Sequence, residues 1–123
     1  MAILIFKNSN NTYKVINHEL NELYSGSLIG GVEFFAVGPD CFYVTENSVL
    51  TKRSSIDGIL LATEFESVGA QRPFVVDSEG NVWTIDNGFN NVVRKWSGDL
   101  SSRTDYTLKA GLLEGLIFIV FVL

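Results

Sequence analysis

The sequence predicts an all-β chain made of repeated four-stranded antiparallel sheets, and three observations carry that expectation. Turn signals are dense, at Gly30-Gly31, Gly38-Pro39-Asp40, Asp57-Gly58, Ser78-Glu79-Gly80-Asn81, Asp86-Asn87-Gly88 and Ser97-Gly98-Asp99. Such Gly, Asn, Asp and Ser clusters interrupt regular structure. The runs between them have the ordinary strand length of about five or six residues, with no strong helical periodicity. The chain also repeats: Cys41 to Asn47 overlays Asn81 to Asn87, and Phe34 to Val37 overlays Phe74 to Asp77, both at a shift of 40 residues.

The elements follow in order from that frame. Twice the shift places Ile3 to Phe6 on Trp83 to Asp86 and Asn10 to Ile16 on Asn90 to Trp96, so the first copy supplies strands B, C and D but no strand A. In the second copy strands A to D are expected at Val32 to Val37, Phe42 to Glu46, Ser48 to Arg53 and Ile59 to Glu64. This copy is three residues shorter at the turn after Asn47, which brings Val49 to Arg53 onto Val92 to Trp96. The third copy has them at Pro73 to Asp77, Val82 to Asp86, Asn91 to Trp96 and Arg103 to Leu108. A last apolar stretch, Gly115 to Leu123, reads as one more strand A, because its β-branched and aromatic residues suit a strand buried on both faces.

Four strands in about 40 residues is the signature of a β-propeller blade. The stretch from Phe74 to Trp96, with Asp77, Gly80-Asn81, Trp83, Asp86 and Asn90-Asn91, resembles the NHL-type repeat of six-bladed propellers. The second copy departs from that pattern, with Gly38 in place of Asp77 and Cys41 in place of Asn81. The expectation is a single partial propeller domain over residues 1–123, with blade repeats at 1–30, 31–70 and 71–110 and the start of a further blade at 111–123. A ring needs roughly four to eight blades, so this one is incomplete. Two explanations stay open. The chain is a piece of a longer propeller, or two chains form a homodimer in which each last strand completes the other's first blade, making six blades in all.

Composition narrows the function. Nine Lys and Arg against fourteen Asp and Glu give a net charge of −5, which argues against nucleic acid or an anionic membrane surface as partner. One cysteine, Cys41, cannot form an internal disulfide. The N-terminus turns polar at Asn8 without a signal-peptide pattern, and the apolar run at 116–123 is shorter than the roughly 20 residues of a spanning helix. Cytoplasm is the expected compartment.

The candidate ligand-binding residues are Asp86, Asn87, Asn90 and Asn91, in the polar turn after strand B of the third copy. Loops of successive blades converge around a propeller's channel, although Asn and Gly also serve turns as such. Asp77, Glu79 and Asn81 alternate like the opening of a calcium loop but lack its Gly and Glu positions. They read as a turn with Asp77 capping amides and Gly80 at positive φ, so no metal and no cofactor are expected. His18 reads as a turn residue, Cys41 as a small buried residue, and Trp83 and Trp96 as packing. Lys52-Arg53 and Arg94-Lys95 read as charges protecting strands near the sheet edge. No nucleophile and base are paired, so no catalytic residue is assigned. The leading expectation is a non-catalytic binding or scaffold module presenting a propeller face to a protein or carbohydrate. The alternative, which the resemblance implies, is a fragment of a lactone hydrolase or lyase, with Glu33, Asp77 and Asn81 as the residues to suspect.

Overall fold

A computed structural model describes residues 2–7, 10–30, 35–66, 71–86 and 92–109. Eleven strands and no α-helix occur among them. The first sheet holds β1 (Ala2–Lys7), β2 (Thr12–Asn17) and β3 (Glu22–Ser27). The second holds β4 (Phe35–Gly38), β5 (Cys41–Glu46), β6 (Val49–Ser54) and β7 (Leu60–Thr63), and the third β8 (Gln71–Val76), β9 (Val82–Asp86), β10 (Val92–Trp96) and β11 (Arg103–Thr107). Each sheet is an antiparallel meander in chain order. The strands lie where the repeat put them, and the first copy has three strands among the described residues. The expected last strand A at 115–123 lies outside the described residues.

Tight turns of predictable chemistry set the registers. Glu46 pairs with Val49 across Asn47 and Ser48, both at positive φ (52° and 66°), as a two-residue hairpin requires. Pro39 opens the β4–β5 turn and Asp40 takes φ 52° behind it, a type II pattern. At the end of strand C, Asn17, Ser54 and Ser97 occupy one repeat position, and each uses its side-chain oxygen to accept amide bonds from the turn that follows. A register shift also recurs, between Val15 and Ile16 in the first sheet and between Lys52 and Arg53 in the second.

The three sheets stack like blades, and β5 shows why. All six of its residues are buried, because its two faces belong to two different cores. Phe42 and Val44 pack with Tyr13, Val15 and Leu28 of the first repeat. Cys41 and Tyr43 pack with Val82, Trp96 and Leu100 of the third. The inner strands β4 and β8 lie against one another, as inner strands converging on an axis do. Tyrosine hydroxyls tie each sheet to the next: Tyr24 donates to Ser55 O, and Tyr43 donates to Gly98 O at 2.8 Å.

Two readings need correction. Ile3 pairs with Ile16, as Val82 pairs with Trp96 and Phe42 with Arg53. Leu4, not Ile3, is therefore the counterpart of Tyr43 and Trp83, and a one-residue slip exchanges the faces of a strand. The charged pairs on strand C are not edge protection either. Strands β6 and β10 are interior to their sheets, with Arg53 and Arg94 turned into the inter-sheet space and Lys52 and Lys95 lying over the rings of Tyr43 and Trp83. The aliphatic stem of each lysine covers an aromatic face while its charge stays near water.

Candidate functional site

Asp77 stands at the β8–β9 turn, and its carboxylate is fully engaged. Oδ1 accepts the amides of Glu79 and Asn81, both at 2.9 Å. Oδ2 accepts Trp83 Nε1 at 2.8 Å and Asn81 Nδ2 at 3.3 Å. Gly80 takes φ +83° beside it. Partial burial works against the charge, but the bonds from Trp83, Asn81 and Glu79 outweigh it and hold the Asp77 carboxyl below its ordinary range. These residues form the turn that their spacing suggested. Asp99 is engaged in the same way: bonds from Ser101 and Ser97, at 2.6 and 2.7 Å, push its carboxyl down to about 2.

Glu46 is the most enclosed acid among the described residues. It is 3% exposed, on the face of β5 that meets the first sheet. Arg53 binds it bidentately at 2.8 and 2.9 Å, Thr51 Oγ1 donates at 2.5 Å, and the Ile29 amide donates at 2.8 Å from the connection between the first two repeats. Burial penalises the charge, yet these donors win and lower the Glu46 pKa. Alternation supplied a usable signal, since the turn at 47–48 places Phe42, Val44 and Glu46 on one face with Thr51 and Arg53. Around this pair Tyr13 and Tyr24 meet edge to face at 6.0 Å, and burial, then the neighbouring Tyr13 and Asp57, push the Tyr24 hydroxyl up to about 12.

An opening lies next to this network. A cleft of about 210 Å³ is lined by Val15 of the first sheet and by Val37, Gly38, Asp40, Phe42 and Ser55 of the second. It lies between Val15 of β2 and the β4–β5 turn, and Val37 at its rim is 63% exposed. The cleft combines an apolar wall with Asp40 and Ser55, whose backbones are joined by a Ser55 N–H to Asp40 O bond.

Of the residues suspected from the sequence, Asp77 and Asn81 hold the β8–β9 turn. Asp86 ends β9, while Asn87, Asn90 and Asn91 lie outside the described residues, as does Glu33. His18 is exposed in the β2–β3 turn, Cys41 is buried and Trp96 is fully buried. Among the described residues, no three His, Cys, Asp or Glu side chains gather as metal ligands, and no helix is long and apolar enough to cross a membrane.

Successive stacked meanders are the arrangement of propeller blades, and a solved structure matches it. The chain is similar to a virginiamycin B lyase. That selenomethionine-substituted enzyme, from Staphylococcus aureus, is a β-propeller, and it superposes with a TM-score of 0.66 at 11% sequence identity. The similarity covers 89% of this chain and 39% of the lyase, so the chain spans well under half of that protein's length. No family model matches the sequence, and no curated protein does. The shared feature is the fold, all-β with propeller-like antiparallel sheets.

Proposed function

We propose that the protein is a non-catalytic binding module whose propeller-like sheets hold a protein partner. The observation that carries this reading is the cleft beside β4, where Val37 is exposed next to an apolar wall and the acidic residue Asp40. An extended segment with an apolar side chain followed by a basic one suits that chemistry. The engagement of Asp77, Glu46 and Asp99 in structural bonds supports the same reading, since these carboxylates hold turns and sheets together. Exposed Ile56 and Ile59 in the neighbouring β6–β7 turn extend the apolar rim and favour a peptide over a carbohydrate.

A peptide array probed with wild-type protein, Val37→Asp and Asp40→Lys tests it. Apolar-basic peptides should bind wild type, lose affinity with Val37→Asp, and lose their basic-residue preference with Asp40→Lys. Binding that ignores both substitutions would refute the site. A second reading, a segment of a propeller lyase, draws on the structural similarity alone; consumption of virginiamycin B by the purified chain would favour it.

A further inference from the structure

Each sheet has a leading face that packs on the trailing face of the next, and the chain uses this docking twice. The first sheet leads with Tyr13, Val15 and Tyr24 onto Phe42 and Val44. The second leads with Tyr43 and Leu50 onto Val82 and Trp96. An apolar residue just after each outer strand completes the joint: Leu28 in the first core, and Phe65 edge-on to Trp96 at 6.1 Å.

The third sheet repeats the leading design. Its Trp83 takes the place of Tyr43, with Lys95 at 5.5 Å from the ring centroid as Lys52 is at 5.8 Å from that of Tyr43. Tyr106 stacks on Trp83 at 5.8 Å and is 43% exposed. Leu108 follows β11 where Leu28 follows β3. At the other end, the first sheet keeps an open trailing face with Ile5, 49% exposed, beside Lys14 and Glu22, whose ion pair of 3.4 Å is solvent-exposed. The leading face carries Lys95, and the trailing face carries Glu22, which in the single chain is paired only with the exposed Lys14 at 3.4 Å among the described contacts.

We infer that these two faces dock on one another between two copies of this chain, the leading face of each third sheet on the trailing face of the other's first sheet. Two such joints close a two-fold ring of six sheets, within the range in which propellers close. The inference is separate from the peptide cleft, which Val37→Asp tests.

Light scattering on the 123-residue chain is expected to give twice the monomer mass. Ile5→Glu and Tyr106→Glu, both at exposed positions, should each give monomer, and mixing them should restore a weaker pair because one intact joint is regenerated. A wild-type monomer, whose faces would then belong to further blades of a longer chain, overturns the inference. So does an open series of larger oligomers, or a dimer that survives Ile5→Glu. Should a variant unfold by circular dichroism, carbodiimide treatment of mixed nitrogen-14 and nitrogen-15 wild-type protein decides. A mixed-isotope link between Lys95 and Glu22 supports the joint, and its absence overturns it.

Discussion

Replacing Glu46 by alanine removes the acceptor of four donated bonds: two from Arg53, one from Thr51 and one from the Ile29 amide. The pair is enclosed, with side-chain exposure of 13% for Arg53 and 2% for Glu46, so solvent cannot replace the lost partner. Breaking a buried ion pair from one side costs about 3–5 kcal/mol, because the remaining charge stays buried. For a chain of this size that lowers the melting temperature by roughly 10 °C or more. Glu46→Gln, which retains an acceptor oxygen, should cost less, and Glu46→Leu with Arg53→Met should recover much of the loss by removing both charges. The sign of the pH dependence follows from the lowered Glu46 pKa. The folded state binds this proton more weakly than the unfolded state, so the stabilisation is present above the unfolded pKa of about 4.3 and is lost as pH falls through the folded value. Urea titrations of the four proteins at neutral pH and near pH 3 measure both effects. A loss under about 1 kcal/mol for Glu46→Ala at neutral pH would refute the argument that the pair is desolvated, since that is the scale of exposed pairs.

Other outcomes follow from the turns. Gly58→Ala places a β-carbon at φ +76° and onto the Tyr13 hydroxyl, so it should cost about 2–4 kcal/mol from left-handed strain and displacement of the ring; denaturation of that variant checks it, and a neutral result would mean that Tyr13 moves freely. Carboxyl carbon shifts followed by NMR should titrate Asp99 at about 2 and Asp77 below its usual range, and an ordinary midpoint for Asp77 would mean that its turn bonds are not kept in solution.

Strand positions, the repeat and the turns were legible in the sequence because they depend on local chemistry. Alternating apolar residues and Asn, Gly and Asp signals recur at fixed spacing, and the shared position of Asn17, Ser54 and Ser97 continues the same overlay. Asp77 was readable for the same reason, since an acid two and four residues before its amide donors closes a turn by itself. The polar turn from Asp86 to Asn91 was singled out on composition, a signal shared by any tight loop, and its residues 87–91 lie outside the described ones.

The tertiary structure decided which face of each strand meets another sheet. The repeat overlay placed Ile3 one residue off, and pairing with Ile16 corrected it, because strand register depends on a partner across the sheet. Arg53 looked like an edge charge until β7 covered its strand and Glu46 faced it across seven residues of hairpin. The cleft at Val37 also depends on more than its own residues, since it lies where Val15 of the first sheet meets the β4–β5 turn of the second. Local sequence determines each strand and turn, and even places Glu46 opposite Arg53 across one hairpin, by steric and hydrogen-bonding preferences, whereas the burial that encloses such a pair arises only when separate sheets stack.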